Sequence, residues 1–334
     1  MNEPRLLAGD IGGTHTRLRL SRCTGHGLER LCERRYDSAE HPDFTELLRA
    51  FLADCGETPD SACLGVAGPV HETGEDTTAE VTNLPWRLSA RALSEACGIP
   101  RLCLTNDFSL IGHALPALGE NDLVTLQAGR PQPEAMAAVL GAGTGLGQVL
   151  VLPGPEPRRV WATEGGHVDF AARTEADWQM LQTLRHRFGH VSAERLLSGP
   201  GLRFIYGFLE ERQRRPTPPA IREARDAGRD IAPEITRLGL SGEDPLAAQA
   251  LERFVELYGA QAGNLALACL PRAGLYIAGG IAQHLLPLLE RGPFLTAFLD
   301  KGRMRPLLET IPLAVVTHPD PGLLGATRLA RLLL

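Results

Sequence analysis

The sequence predicts a two-domain α/β protein organised around two glycine-rich hairpins, and three observations lead there. The first is Val139 to Val151, VLGAGTGLGQVLV, where an apolar strand runs into glycines at 141, 143, 145 and 147 around Thr144 and a second apolar strand leaves. The second is the opening of the chain. Leu6 to Asp10 meets Gly12-Gly13-Thr14, and Arg17 to Leu20 then alternates polar and apolar as a half-buried strand does. The third is an alternation of strand-like and helix-like segments over the first third, which implies an α/β unit with a mostly parallel sheet. At 334 residues the chain is long enough for two domains, each with its own core.

Glycine turns let backbone N–H groups approach an anion closely, because no Cβ intervenes. In a dinucleotide-binding unit the glycines lead into a helix. Here Gln148-Val-Leu-Val-Leu152 follows instead, an aliphatic run typical of a buried strand. The segment reads as a strand–turn–strand phosphate clamp, or as an ordinary tight hairpin in a core sheet. Two such hairpins over a hundred residues apart suggest two half-clamps facing one polyphosphate. The pattern G-x-x-x-x-G-K-[ST] occurs in neither. An acidic residue, Asp10, entering the first turn suits an accompanying Mg²⁺, since hard cations take oxygen ligands.

Hydrophobic content of 43%, charged content of 22% and a net charge of −6 describe a globular chain with nothing to attract nucleic acid or an anionic membrane. Its seven cysteines (23, 32, 55, 63, 97, 103 and 269) form no C-x-x-C pair, and six precede residue 104. That speaks against a disulfide framework or structural zinc and for reduced thiols in a cytoplasm. A basic-then-apolar leader is absent, and no apolar run reaches the roughly 18 residues of a membrane span.

Taken in order, residues 6–20 read as the first hairpin and His41–Phe51 as a helix with Pro42 in its first turn. Ala62–Pro69 is a short buried strand, Val81–Trp86 is extended, and Ser89 caps a helix through Ala96. Arg101–Leu104 is a strand ended by Thr105-Asn106-Asp107, before a helix over Phe108–Leu118. After the central hairpin, Trp161–Phe170 is a polar glycine-studded loop and Thr174–Phe188 a helix capped by Thr174. Ser192–Arg195 starts another helix, soon broken by Ser198-Gly-Pro-Gly201. Glu210–Ile231, with three prolines and six arginines among interspersed acids, reads as a solvated loop plus a short exposed helix. Asp244-Pro245 opens a long helix with Leu246, Ala250, Phe254, Leu257, Ala260 and Leu265 on one face. Leu275–Ile281 is a buried strand ending in glycines, followed by a helix over Ala282–Leu289, a strand over Ile311–Val316 and a closing helix over Pro321–Leu334.

The residues able to do chemistry lie where strands end. A phosphoryl acceptor such as a sugar alcohol needs a carboxylate to take its proton. Asn106-Asp107 set an amide and a carboxylate at a sheet's carboxyl edge, where open α/β folds bind ligands; the local sequence alone favours a simple helix cap. Glu164-Gly-Gly-His167 offers a second carboxylate and an imidazole, or a plain glycine turn with exposed polar groups. Glu194 suits the first turn of a helix on dipole grounds alone.

The strings Asp10-Ile-Gly-Gly-Thr14, Thr105-Asn-Asp-Phe108, Gly141-Ala-Gly-Thr-Gly-Leu-Gly147, Glu164-Gly-Gly-His-Val-Asp-Phe170, Gly189-His-Val-Ser-Ala-Glu-Arg195, Leu197-Ser-Gly-Pro-Gly201 and Ile277-Ala-Gly-Gly-Ile281 stand in sequence. In that order they closely resemble the bacterial glucokinase family, within the superfamily that shares the actin-like ATPase (ribonuclease H-like) fold with hexokinases and acetate kinase. The resemblance covers nearly the whole chain. It implies a two-domain fold with an interdomain cleft, a small α/β domain over 1–116 plus 317–334 and a large domain over 117–316. It implies ATP-dependent phosphorylation of glucose to glucose 6-phosphate, with Asp107 as general base toward the C6 hydroxyl. Asn106, Glu164, His167 and Glu194 would bind the other hydroxyls. Gly12, Gly13, Thr14, Gly143 and Thr144 would hold the ATP phosphates, with Asp10 facing Mg²⁺ through water rather than as a direct ligand. Gly279 and Gly280 would lie against the adenosine, and a homodimer is usual. One departure is His15, where the family often has Asn.

Three rivals share the fold. A kinase for another hexose (mannose, fructose or an N-acetylated hexose) is the nearest. Its zinc-dependent kind carries a cysteine-rich cluster after the His, yet no cysteine lies between 103 and 269 here. A catalytically silent sugar-binding regulator would need a DNA-binding helix-turn-helix before the first hairpin, where about five residues stand. An actin-like or chaperone ATPase would have no use for the EGGH loop.

Overall fold

The structure is a computed structural model that describes residues 3–25, 27–155 and 158–334. The chain divides into two compact units. One is Met1–Asn121 with Gly154–Ala162 and His318–Leu334; the other is Asp122–Pro153 with Thr163–Thr317.

In the first unit a five-stranded sheet has the spatial order Gly27–Asp37, His15–Thr24, Arg5–Ile11, Ser61–Val66, Leu102–Asn106. The first three strands pair antiparallel and the last three parallel. The sheet is therefore mixed and not mostly parallel. Its tight turns can join only antiparallel neighbours, whereas parallel strands need helical crossovers. Those crossovers are Phe44–Cys55 and Ala90–Cys97, the second capped by Ser89 accepting from Ala92 N–H as its sequence predicts. The first is capped by Asp43, so Pro42 stands outside the helix and not in its first turn.

Val81–Trp86 is not extended. It is a turn in which Asn83 takes φ 65°, between strands Asp76–Glu80 and Arg87–Ser89 of a small antiparallel sheet with Val70–Thr73. Asn tolerates the left-handed region better than most residues, which suits it to that corner. Asn106 caps a helix over Asp107–Ala114, which ends earlier than the expected Leu118 and passes into a 3-10 turn over Leu115–Ala117 carrying Pro116. The closing helix, Pro321–Leu332, buries Leu323, Ala326 and Ala330 against Leu6, Ala8, Cys63 and Leu110. At Gly325 a Cβ would stand 1.9 Å from Leu110 O, so this helix and the Asp107 helix touch backbone to backbone.

The second unit repeats the plan. Leu146–Val151 pairs antiparallel with Ala137–Ala142, which pairs parallel with Gly274–Ala278 and that with Leu313–Val316; Leu123–Gln127 adds an antiparallel neighbour. The long helix is Pro245–Cys269, and all six apolar positions named for it are buried. Asp244 caps it by accepting from Leu246 and Ala247 N–H. Thr174 and Asp177 form a reciprocal cap on Glu175–Phe188.

Three segments of this unit differ from the sequence reading. Ser192–Arg195 forms a single 3-10 turn (Ala193–Arg195), and Ser198-Gly-Pro-Gly201 starts a helix instead of breaking one. Ser198 accepts from Gly201 N–H and Pro200 sits in the first turn of Gly199–Gln213, where a missing N–H does no harm. In the polar stretch the short helix Pro219–Asp226 is present, but it buries Ile221 and Ala224 rather than lying wholly in solvent. Among the described residues no helix is long and apolar enough to cross a membrane.

Candidate active site

The first glycine turn connects Arg5–Ile11 to His15–Thr24. Gly12 N–H donates to His15 O at 3.0 Å, closing the turn. A Cβ on Gly13 would stand 2.6 Å from Thr82 O, so only glycine fits between the turn and that backbone. Behind the turn lies Ser38, fully buried. Its N–H donates to Thr14 O at 2.9 Å and its Oγ to Gly12 O at 2.8 Å. Thr14 and His15 are exposed.

Asp10 and Asp107 line one cavity of about 190 Å³, together with Arg17, Phe108, Ile111, Asp320 and Gly322. Asp107 opens a helix whose cap, Asn106, accepts from Phe108 N–H at 3.0 Å and Ser109 N–H at 3.3 Å. Asn106 therefore does cap the helix, with Asp107 beside it free to face the cavity. Burial pushes the Asp107 carboxyl up to about 6, helped by the charge of Asp10, against the hydrogen bond from Phe108 N–H. Asp10 is raised as well, by burial first, with Arg17 opposing. Among the described residues no hydrogen bond reaches the Asp10 carboxylate.

Arg17, Arg19, Glu33 and Asp320 were not signalled by the sequence. Arg17 hydrogen-bonds both Glu33 and Asp320, and Arg19 binds Glu33 at 2.8 Å and Asp320 at 3.2 Å. Hydrogen bonds led by that from Arg19 hold Glu33 down at about 2. The alternation of Arg17 and Arg19 along a strand marks one polar face; the partners 16 and some 300 residues away are invisible locally.

In the second unit, Gly143 N–H donates to Gly145 O and Gly199 N–H to Gly143 O, each at 2.8 Å. Glu194 accepts from Leu146 N–H at 2.9 Å. Its other oxygen stands 3.9 Å from His167 Nδ1, and His167 Nε2 stands 3.7 Å from Glu164 Oε2. Glu194, His167 and Glu164 thus form one polar row, with Glu164 and His167 exposed and Glu194 partly buried. Gly166 is pressed against Leu146 O, where a Cβ would come within 2.1 Å, so the EGGH loop packs directly on the glycine hairpin. Thr144 is exposed at the hairpin's tip.

Gly279 takes φ 89° with its Cα against Ala142 O, and Gly280 begins the short helix Gly280–His284 with open space around it. The phenol of Tyr258, which the sequence placed only within a long helix, is buried and ties these elements together. It accepts from Ala142 N–H at 3.1 Å and stands 3.2 Å from Leu140 O.

Comparison with known proteins finds relatives over nearly the whole chain. The family model described as Glucokinase matches residues 7–333. A glucokinase of Nostoc sp. is 43% identical over 336 residues, covering 96% of this chain and 97% of that one. A glucokinase of Synechocystis sp. is 42% identical over 344 residues, covering 96% of each. Among solved structures, the glucokinase of an Antarctic psychrotroph superposes with a TM-score of 0.82 at 30% identity, covering 98% of this chain and 99% of that one. That likeness identifies the fold as the actin-like ATPase type expected from the sequence.

Proposed function

The chain belongs to the glucokinase family, and from that premise we propose that it transfers the γ-phosphoryl group of ATP to the C6 hydroxyl of glucose, giving glucose 6-phosphate and ADP. The observation that carries the mechanism is Asp107. It is a partly buried carboxylate at a sheet's carboxyl edge, raised to about 6, in a cavity it shares with Asp10. A base whose pKa lies near the working pH accepts a proton readily and is still ionised to do so. Asp107 takes the C6 hydroxyl proton as the phosphoryl group moves across. Asn106, Glu164, His167 and Glu194 hold the remaining hydroxyls; each offers donors or acceptors that a sugar lacking the matching hydroxyl leaves unpaired.

Gly12, Gly13 and Thr14, with Gly143 and Thr144, form the two turns that hold the phosphates, and the N–H groups of Gly13, Thr14 and Thr144, which make no hydrogen bond among the described residues, are the amides that bind them. Such fixed donors stabilise the charge that develops on the transferring group without reorganising. Gly279 and Gly280 lie against the adenosine, where the absent Cβ leaves room. Magnesium fits the donor set. Asp10 presents a carboxylate with no hydrogen bond among the described residues, and Mg²⁺ keeps several waters while using one or two carboxylates. Asp10 would hold it through water, and the bound ion would neutralise phosphate charge.

We further propose a cytoplasmic homodimer serving the entry of glucose into glycolysis, with a small domain over 1–116 plus 317–334 and a large one over 117–316. Light scattering and limited proteolysis test these two assignments. The activity is tested by coupled ADP release over a panel of hexoses with ATP, ADP and polyphosphate as donors. ADP release with glucose and ATP is expected; release with ATP alone, or only with another sugar, would overturn the assignment.

A further inference from the structure

Ser38 lies outside every motif the sequence offers, yet it is the residue on which the first glycine turn rests. It follows the strand Gly27–Asp37 and opens a 3-10 turn capped by Asp37. The pairing His15↔Asp37 and Thr16↔Tyr36 delivers it beneath the turn. Both Ser38 and Thr16 are completely buried.

The hydrogen atoms can be assigned from the distances. A serine hydroxyl has one proton and two acceptor sites. Gly12 O, 2.8 Å away, can only accept, so Ser38 donates to it. The contact between Thr16 Oγ1 and Ser38 Oγ at 3.0 Å then has Thr16 as donor. Ser38 N–H closes the set on Thr14 O at 2.9 Å. Two of the turn's carbonyls are thus drawn inward onto one residue.

A trans peptide is planar, so a carbonyl and the N–H that follows it point in opposite directions. Holding Gly12 O inward therefore turns Gly13 N–H outward. Among the described residues no hydrogen bond uses the N–H of Gly13 or of Thr14. These amides are the donors an anion needs, and the aim of the Gly13 N–H is fixed by a side chain on the far side of the turn.

We propose that Ser38, with Thr16 behind it, is the positioning residue that aims the Gly13 amide at a nucleotide phosphate. This rests on reading that turn as a phosphate site. Loss of the hydroxyl frees the Gly12–Gly13 peptide to rotate and weakens phosphate binding, while sugar recognition by other residues is untouched.

The test compares Ser38→Ala with Ser61→Ala. Ser61 is also fully buried in the first unit and donates to a carbonyl, Ala330 O at 2.7 Å, but has no bond to the turn. Ser38→Ala is expected to raise KM for ATP about tenfold and leave KM for glucose within about twofold, whereas Ser61→Ala lowers thermal stability without moving either constant. Ser38→Cys, nearly isosteric with a weak donor, is expected to fall between wild type and Ser38→Ala. Equal effects of the two alanine variants on KM for ATP, or a rise in both constants for Ser38→Ala, would overturn the proposal. Should Ser38→Ala fail to fold, Thr16→Val takes its place with an expected rise of about threefold, and no rise overturns it. Calorimetric titration with a non-hydrolysable ATP analogue separates this idea from the assigned activity. A wild type inactive on glucose that nevertheless binds the analogue more tightly than Ser38→Ala sinks the activity and leaves the positioning role standing.

Discussion

In the first unit the Gly12 carbonyl behind the glycine turn is held by a side chain, the Ser38 hydroxyl, and the Thr14 carbonyl by Ser38 N–H. In the second, the corresponding duty falls on the backbone of Gly199 at the start of a helix and on the Glu194 carboxylate, which takes Leu146 N–H. The surroundings differ in the same sense. The first unit sets partly buried Asp10 and Asp107 around a cavity of about 190 Å³, while the second exposes Glu164 and His167, whose side chains are 92% and 57% accessible. Burial perturbs acidity, and exposure leaves hydrogen-bonding groups ready for a solvated partner. One hairpin plan thus stands beside partly buried carboxylates in one unit and beside exposed polar groups in the other.

The contrast is broken most severely at Asp107. Asp107→Asn is expected to lower kcat by about 10²–10⁴ in the coupled ADP assay while glucose binding persists in calorimetry. Near-normal turnover would remove Asp107 from the mechanism. Next comes pH. With Asp107 near 6, kcat/KM should fall about tenfold per unit below that pH as the base is protonated.

Stability carries the opposite sign. A carboxyl raised from 3.8 to about 6 favours the folded state when protonated, so its contribution is lost as pH rises between those values. Denaturation series should show Asp107→Asn gaining on wild type across that window; parallel curves would contradict the shift.

Smaller effects separate the two turns themselves. Gly13→Ala should cost about 2 kcal/mol of stability, since its Cβ meets Thr82 O at 2.6 Å, whereas Gly143→Ala meets nothing within 4 Å and should cost under about 0.5 kcal/mol. Equal melting shifts would mean that the first turn can yield. Glu194→Ala leaves Leu146 N–H without its acceptor and should cost about 1 kcal/mol, most of which Glu194→Gln should restore.

What the sequence disclosed was local. Asp10-Ile-Gly-Gly-Thr14 and Asn106-Asp107 announce themselves because a turn and a cap are set by neighbouring residues. Ser38 did not, since its role depends on the register of Gly27–Asp37, a strand whose mostly polar face carries no clean alternation. The Glu194 bond to Leu146 spans 48 positions, and Arg17 meets Asp320 across 303. Ser198-Gly-Pro-Gly201 was misread because glycine and proline punctuate loops and first turns alike. The fold class was legible from the hairpins, while the contacts that aim and charge the site were distributed along the chain.

The backbone contact between Gly325 and Leu110 has a consequence for biosynthesis. The apolar patch formed by Leu6, Ala8, Cys63 and Leu110 is covered by Leu323, Ala326 and Ala330 of the closing helix, which leave the ribosome long after it. At translation rates of about 5–20 residues per second, roughly 10–40 s separate the emergence of Asn121 from that of His318. During that interval the patch lacks the closing-helix residues that pack on it in the folded chain. A polypeptide stopped at Thr317 should bind an apolar dye that the finished protein excludes.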